Sequence, residues 1–141
     1  QTFLGISPEG IASAVSTNGN PHCHVILRGG EEGPNYDKKH VNEAVEKLKE
    51  KGLHPAVMID ASHDNSQKDH NNQPSVFSNI VDQGLEGDNT IIGAMLESNL
   101  IAGNQKIPQA LDSLVYGQSI TDKCIDWETT EKLIFEAAEK L

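Results

Sequence analysis

The sequence predicts an α/β fold in which a β-hairpin is followed by three strand–helix units. Three short, β-branched apolar runs each end abruptly in polar residues, which is typical of buried parallel strands. Segments with apolar residues at helical spacing lie between and after these runs. Strands that alternate with helices pair in parallel through right-handed crossovers, so a parallel sheet is expected.

The hairpin is predicted at the start of the chain. Residues 3–6 and 11–16 are short strand-like runs, and residues 7–10, which read SPEG, join them. Proline and glycine in that connection suit a tight turn. A second turn cluster, residues 17–21, separates the hairpin from the first apolar run.

The first strand–helix unit combines a strand over residues 22–28 with a helix over residues 37–51, joined by a glycine-rich loop. Asp37 is the predicted N-cap of the helix, and Gly52 is its predicted stop. The apolar face of this helix has i, i+3, i+4, i+7 spacing. Its members are Val41, Ala44, Val45 and Leu48.

The second unit has a strand over residues 56–60 and a helix centred on residues 76–81, with Pro74 near the start of the helix and Gly84 near its end. The third has a strand over residues 90–97, a long connection and a last helix. That connection, residues 98–125, is expected to be a functional or disordered loop. The last helix is capped by Asp126, and Trp127 is expected to pack it onto the sheet. Its predicted buried stripe is Leu133, Ile134, Ala137, Ala138 and Leu141.

The composition excludes several classes of protein. A formal charge of −10 on 141 residues argues against a nucleic-acid partner, and no apolar run reaches the length of a membrane span. We expect no secretory leader, and Cys23 and Cys124 form no disulfide framework, so a cytoplasmic protein is expected. Because the chain opens at Gln1 without a methionine, we expect it to be part of a longer protein.

Polar residues at the strand ends define the candidate site. Arg28, His63 and Glu97 follow the three apolar runs at equivalent points, where α/β proteins place their ligands. With Asp122, the imidazole and two carboxylates suit a divalent ion such as Mn²⁺, Fe²⁺, Co²⁺ or Zn²⁺; the alternative is that they are solvated loop residues. Arg28, the only arginine, either binds a phosphate or carboxylate or forms a structural salt bridge. His70 is expected on the surface.

Three strands are too few to close a barrel, because an eight-stranded α/β barrel takes about 250 residues. The chain is therefore either a small open sheet or the last part of such a barrel. Six motifs, in order, favour the second reading. They are HVILRGG (24–30), PNY (34–36), MIDASHDNS (58–66), GAMLESNL (93–100), GNQ (103–105) and YGQSITDKCIDWETTE (116–131). Together they resemble one family, the feedback-regulated microbial (type I) 3-deoxy-D-arabino-heptulosonate 7-phosphate (DAHP) synthases.

The resemblance implies the C-terminal portion of a (β/α)8 TIM barrel. Residues 1–17 would form an inserted β-hairpin, and residues 18–141 would supply barrel strands six to eight with their helices. The family condenses phosphoenolpyruvate with erythrose 4-phosphate, the first step of the shikimate pathway toward the aromatic amino acids. A transferase of this kind is the enzyme that the resemblance implies.

The resemblance also implies roles for individual residues. Arg28 matches the family's arginine on the phosphoenolpyruvate phosphate, and His63, Glu97 and Asp122 match three protein ligands of its divalent metal. The fourth ligand, a cysteine, belongs to the part of the family that this chain lacks. His63 and Asp122 are the implied catalytic residues; His63 also contacts substrate, and Asp122 helps to orient the sugar phosphate.

A regulatory site is implied in the hairpin. In regulated members of the family the hairpin lines a site for an inhibitory aromatic amino acid. Phe3 and Val15 match positions of that site, whereas Gly5 stands where relatives often carry serine.

Two other hypotheses remain open. A 3-deoxy-octulosonate 8-phosphate synthase would share the fold and the chemistry. Alternatively, the free chain is a non-catalytic interaction module that associates with itself or with the missing N-terminal part through an open strand edge. Because the remaining substrate contacts lie in that missing part, we expect the chain alone to be inactive.

Overall fold

The computed structural model of the chain describes residues 1–108 and 110–141, and it has the predicted order of a hairpin followed by strand–helix units. The strands are β1 (Thr2–Ile6), β2 (Ala12–Ser16), β3 (Val25–Leu27), β4 (Val57–Asp60), β5 (Ile91–Met95), β6 (Ile101–Asn104) and β7 (Gln118–Ser119). The α-helices are α1 (Lys38–Glu50), α2 (Gln73–Leu85) and α3 (Trp127–Lys140). Two short 3₁₀ turns occupy His70–Asn72 and Leu111–Ser113.

The central sheet is parallel, with strand order β3-β4-β5, as the alternation of strands and helices predicts. The middle strand is the most buried, since Val57 and Ile59 are completely shielded from solvent. Apolar residues of α1 and α2 pack on one face of this sheet and form the core. The buried members of that core are Leu27, Val41, Val45, Val57, Ile59, Ala61, Val76 and Ile80.

The other face of the sheet is largely uncovered. Successive side chains of a strand point to opposite faces, so the neighbours of the core residues point away from the helices. Ile26 in β3 is 43% exposed, and Met95 in β5, which alternates with the core-packed Ala94 and Leu96, is 40% exposed. Apolar side chains on that second face have too few partners within the described part of the chain to be buried.

The helix starts follow the predicted capping. The Asp37 carboxylate accepts hydrogen bonds from the backbone N–H groups of Lys39 and His40. The Asp126 carboxylate accepts one from Thr129 at 2.8 Å. Pro74 lies in the first turn of α2, where a missing N–H breaks no helical hydrogen bond.

Two predictions about strand content were wrong. The first strand of the parallel sheet is shorter than the range 22–28, because residues 21 and 22 form a turn in which the His22 N–H binds the Asn20 side chain. The connection 98–125 is not a structureless loop. It contains β6 and β7, which pair in parallel, and isolated bridges such as the one between Gly103 and Cys124.

The predicted buried stripe of α3 was also largely wrong. Leu133 is buried, but Ile134 is 54% and Leu141 is 80% exposed. Trp127 is 58% exposed and does not anchor the helix on the sheet. The physical reason is that α3 packs mainly against α2, so only a narrow line of its apolar residues meets a neighbour.

The hairpin is antiparallel, with Phe3 opposite Val15 and Gly5 opposite Ser13. Its apolar side chains are mostly exposed, including Leu4 at 82%. Among the described residues, none of the helices is both long enough and apolar enough to span a membrane.

Candidate functional site

Three of the predicted site residues meet at the carboxyl ends of the parallel strands. The Nε2 atom of His63 lies 3.4 Å from Oε1 of Glu97 and 3.8 Å from Oδ2 of Asp122. One donor atom from each residue falls within 4.8 Å of the other two. Parallel strands bring their carboxyl ends to one edge, so residues far apart in sequence form one cluster here.

The His63 ring is held by buried neighbours from its own loop. Its Nδ1 lies 2.8 Å from Oδ2 of Asp60 and 2.7 Å from the Ser62 hydroxyl. Asp60 is buried and its other oxygen accepts hydrogen bonds from both the N–H and the hydroxyl of Ser62. A hydrogen on Nδ1, donated to Asp60, leaves Nε2 as a lone-pair donor facing Glu97 and Asp122, the arrangement found around metal-binding histidines.

The loop after β4 has a strained backbone. His63, Gln67 and Lys68 all have positive φ angles, of 51°, 56° and 60°, which non-glycine residues adopt uncommonly. Hydrogen bonds from the Lys68 N–H and the Ser66 hydroxyl to the His63 carbonyl hold this conformation. Such strain is typical of loops that must place a functional side chain.

Asn65 ties the ends of two strands together. Its buried side-chain N–H₂ donates to the Leu27 carbonyl at 3.1 Å and to the Asp60 carbonyl at 2.7 Å. These two carbonyls end β3 and β4, and Arg28 and His63 follow them in the chain. A single amide therefore fixes the relative position of the two strand ends from which the Arg28 and His63 side chains project.

The turn after Arg28 is fitted closely against the loop after β4. Gly29 has φ +77°, and a Cβ there would lie 2.7 Å from the Cβ of Asp64. The Gly29 N–H donates to the Asn35 side chain, and the Asn35 N–H donates to the Asn65 side chain, both at 2.7 Å. Only glycine fits this approach, which explains why Arg28 is followed directly by glycine.

Burial and neighbouring charges of both signs act on the Glu97 carboxyl. Burial raises the pKa of its carboxyl above the ordinary value. The Arg28 guanidinium opposes that rise, as does the His63 ring when it is protonated, and the negative charges of Asp122 and Asp60 add to it. A dication at this point would relieve the repulsion between the carboxylates, because opposite charge favours their ionised form.

The cluster opens into a cavity of about 420 Å³. The cavity is lined by Arg28, His63, Ser66, Lys68, His70, Glu97, Asn104, Asp122 and Lys123. A volume of this size suits a small ligand. Arg28 and the three clustered residues thus share one pocket, although Arg28 itself is largely exposed.

Three cationic or titratable lining residues were missed from the sequence. Lys68 and Lys123 were not predicted as site residues. His70 was wrongly expected on the surface, whereas its side chain is only 16% exposed and lines the cavity. A signal for Lys123 was available, since it directly follows Asp122. Lys68 and His70 enter the cavity because of the tight loop after His63, which no sequence periodicity reveals.

The imidazole and the two carboxylates fit a divalent ion of the first transition row. One imidazole nitrogen and two carboxylate oxygens are ligands that Mn²⁺, Fe²⁺, Co²⁺ and Zn²⁺ accept. His63, Glu97 and Asp122 are the residues that could hold such an ion. The buried Asp60 that orients the His63 ring favours a metal site over three solvated loop residues.

The hairpin residues Phe3, Gly5 and Val15 lie elsewhere. Phe3 and Val15 face each other across the two strands, and a Cβ on Gly5 would lie 2.7 Å from a methyl group of Val15. The cavity is lined by residues outside the hairpin. Any ligand of the hairpin would therefore occupy a separate surface.

Comparison with known proteins places the chain in a family. Residues 3–134 match the DAHP synthetase I family. A phospho-2-dehydro-3-deoxyheptonate aldolase of Alternaria alternata is 50% identical over 96% of this chain and 37% of its own length. The Tyr-sensitive enzyme of that name from Salmonella typhimurium is 44% identical over 99% of this chain and 39% of its own length.

A solved structure gives the same result. Phospho-2-dehydro-3-deoxyheptonate aldolase from Francisella tularensis SCHU S4 superposes with a TM-score of 0.87 at 48% identity, covering 99% of this chain and 40% of that one. The chain thus spans about two-fifths of the length of these relatives. On the match over residues 3–134, the chain belongs to the DAHP synthetase I family.

Proposed function

We propose that the protein containing this chain is a DAHP synthase, which condenses phosphoenolpyruvate with erythrose 4-phosphate at the entry to the shikimate pathway. The observation that carries the proposal is the cluster of His63, Glu97 and Asp122 in one cavity with Arg28. Relatives of the chain bear the name phospho-2-dehydro-3-deoxyheptonate aldolase, which also supports the proposal. A cytoplasmic location suits such a biosynthetic enzyme.

We propose further that the chain is part of a (β/α)8 barrel. Residues 18–141 would contribute strands six to eight with their helices, and residues 1–17 the inserted hairpin. The uncovered face of the β3-β4-β5 sheet supports this proposal, because Ile26 and Met95 would be shielded inside a closed barrel. The superposition on a longer relative supports it as well.

The cations of the cavity can serve two anionic substrates. Arg28 is suited to hold the phosphate of phosphoenolpyruvate, since a guanidinium binds phosphate oxygens in pairs. Lys68 and Lys123 line the same cavity and can attract the phosphate of the sugar. These positive groups offset locally the formal charge of −10 that the whole chain carries.

The ligand residues define what the site does chemically. Bound at His63, Glu97 and Asp122, a divalent ion would supply a Lewis acid for the sugar aldehyde. Asp60 holds the Nδ1 proton of His63 and so keeps Nε2 free to act as a ligand, while an edge of the ring faces the cavity where substrate would lie. Asp122 has a side chain that is 71% exposed, so its second oxygen can help to orient the sugar phosphate.

The test is an assay of the intact protein that contains this chain. We expect DAHP formation from phosphoenolpyruvate and erythrose 4-phosphate, loss of activity after treatment with a chelator, and recovery on adding Mn²⁺. Arg28→Lys should raise KM for phosphoenolpyruvate more than it lowers kcat, because a lysine cannot reproduce bidentate phosphate binding. Turnover of arabinose 5-phosphate instead of erythrose 4-phosphate would establish the 3-deoxy-octulosonate alternative.

We also propose that the hairpin binds an aromatic amino acid effector. The supporting observations are the exposed Phe3 opposite Val15 and the names of relatives described as Tyr-sensitive and Phe-sensitive. Phe3→Ala in the intact enzyme should abolish inhibition by tyrosine or phenylalanine without changing uninhibited turnover. Leu4→Ala, which alters the opposite side of the same strand, is the matched control. Equal loss of inhibition in both variants would refute the assignment of Phe3.

A further inference from the structure

Gln73, the first residue of α2, is one of the most deeply buried polar residues of the chain, with 1% exposure. Its side-chain oxygen accepts a hydrogen bond from the Glu97 N–H at 2.8 Å. Its side-chain N–H₂ donates to the Glu97 carbonyl at 3.2 Å. The oxygen and the N–H₂ group of the Gln73 side chain therefore both bind the backbone of Glu97.

This pairing occurs where regular strand pairing has stopped. β5 ends at Met95, so Glu97 lies beyond the ladder that holds the sheet together. The side chain of Gln73 supplies the hydrogen-bond donor and acceptor that a neighbouring strand would otherwise provide. A backbone donor left unpaired there would be free to adopt other conformations, and the Glu97 side chain would move with it.

The same carbonyl connects to the segment that carries Asp122. The Ile125 N–H also donates to the Glu97 carbonyl, at 3.0 Å, and the Asn99 N–H donates to the Ile125 carbonyl at 3.0 Å. The two lone pairs of the Glu97 carbonyl are therefore shared between Gln73 and Ile125. Asp122 precedes Ile125 by three residues, so its position depends on this junction.

We propose that Gln73 is a positioning residue that sets the Glu97 carboxylate, and through Ile125 the Asp122 carboxylate, against Nε2 of His63. Gln73 does not itself line the cavity, and it acts only through the backbone of Glu97. The inference rests on the metal site proposed above, because its consequence is the geometry of two metal-ligand carboxylates.

A matched control lies on the same helix. Gln83 is also buried, and its N–H₂ donates to the Tyr36 carbonyl and to the Asn79 side chain, each at 2.8 Å. It therefore ties α2 to another backbone in the same way, at a distance from the cavity. A purely structural role predicts equal effects for Gln73→Met and Gln83→Met.

The experiment compares these two variants of the chain by NMR, after circular dichroism has established that both are folded. Hydrogen exchange measures protection of the Glu97 amide, and Mn²⁺-induced line broadening measures metal affinity. In Gln73→Met we expect loss of Glu97 protection and an affinity for Mn²⁺ lower by about tenfold or more, the usual effect of losing an outer-shell partner. Gln83→Met should leave both measurements unchanged.

Some results would overturn the positioning role of Gln73, and another would test the metal site separately from that role. Unchanged Glu97 protection or unchanged Mn²⁺ affinity in Gln73→Met would overturn it, as would an equal loss of affinity in Gln83→Met. If Gln73→Met does not fold, Gln73→Asn, whose shorter side chain cannot reach both Glu97 groups, replaces it with the same expectations. If the unsubstituted chain binds no Mn²⁺, its three ligands do not suffice alone, and the affinities are compared in the intact protein that contains it; absence of Mn²⁺ binding there as well would show that the proposed metal site is wrong. Loss of Glu97 protection in Gln73→Met would in either case still support the positioning role.

Discussion

The orientation of a single ring decides whether the cluster can bind a metal. Asp60 accepts the Nδ1 hydrogen of His63 from a buried position, which fixes the tautomer. We predict that Asp60→Asn lowers the affinity for Mn²⁺ about 10- to 100-fold, because the neutral amide no longer enforces that tautomer or raises the basicity of Nε2. Mn²⁺-induced broadening of amide signals around the site is the measurement, since it detects weak binding.

A distant aspartate supplies the control for this substitution. Asp82 on α2 forms an ion pair with Lys140 at 3.2 Å and is exposed. Asp82→Asn should therefore leave the Mn²⁺ titration unchanged. An Asp60→Asn variant that is folded and binds Mn²⁺ as well as the unsubstituted chain would remove Asp60 from its assigned role.

Glu97 should lower stability in the metal-free chain. Because burial raises its folded-state pKa, the protonated form is favoured on folding, and the contribution of this group is lost as the pH rises through that raised value. We predict that Glu97→Gln increases the free energy of unfolding at pH 7 and that the gain disappears below the ordinary glutamate pKa. Urea unfolding in the presence of a chelator, at pH 7 and pH 4, measures this.

The comparison variant is Glu139→Gln, an exposed position on α3. It removes the same charge without relieving a buried carboxylate, so it should change the free energy of unfolding little at either pH. A Glu97→Gln variant that is less stable than the unsubstituted chain at pH 7 would mean that His63 and Arg28 more than compensate for burial. In either case, Glu97→Gln should weaken Mn²⁺ binding, because the amide lacks the ligand charge. A residue that binds a ligand at the expense of stability is a common trade-off between stability and function.

At the level of secondary structure, the cap of α3 is the clearest test of local energetics. Hydrogen bonds from Thr129 hold the pKa of Asp126 below its ordinary value. Its contribution to stability is therefore complete above the ordinary aspartate pKa and is lost as the pH falls through the lower folded-state value. We predict that Asp126→Ala lowers the free energy of unfolding at pH 7 by about 1 kcal/mol, the usual cost of losing a cap.

Asp126→Asn separates the cap from its charge. Asparagine caps helices about as well as aspartate, so this variant should keep most of the stability at pH 7. It should lose the part of the acid dependence that belongs to Asp126. Urea denaturation from pH 7 to pH 2 distinguishes the three proteins; an Asp126→Asn variant as unstable as Asp126→Ala would show that the charge rather than the hydrogen bond matters.

The elements that the sequence predicted well are those with a local physical cause. Asp37 and Asp126 are capping residues in front of apolar periodicity, and both caps form as predicted. β6 and β7 were not predictable in this way, because four and two residues are too few for a period to appear. The exposure of Ile134 had a different cause, since periodicity tells which face of a helix is apolar but not whether a neighbour covers it.

At the scale of the whole molecule, topology made part of the site predictable. Once the strands were taken as parallel, Arg28, His63 and Glu97 had to end at one edge of the sheet, and they line one cavity. Lys68 and His70 could not be found in the same way. Their entry into the cavity depends on the left-handed backbone at His63, Gln67 and Lys68, which only the folded loop imposes.

The uncovered sheet face and the short length of the chain limit what it can do by itself. One face of its parallel sheet is uncovered, so the cavity at the end of that sheet is open to water. Its relatives are about two and a half times as long, and this chain supplies one arginine for the two phosphorylated substrates proposed above. Catalysis by positioning and charge stabilisation requires all the contributing groups together.

We therefore predict that the 141-residue chain, purified alone, forms no detectable DAHP from phosphoenolpyruvate and erythrose 4-phosphate in the presence of Mn²⁺. Adding the remaining segment of a relative should restore activity if that segment covers the sheet face around Ile26 and Met95, because burial of those side chains would provide the driving force for docking. Sizing chromatography of the chain alone is the control for self-association through the open strand edge. Activity that reappears only with the added segment, and that His63→Ala abolishes in the mixture, would place His63 in the catalytic unit. A rate for the chain alone that approaches that of an intact relative would mean that the essential groups all lie within residues 1–141.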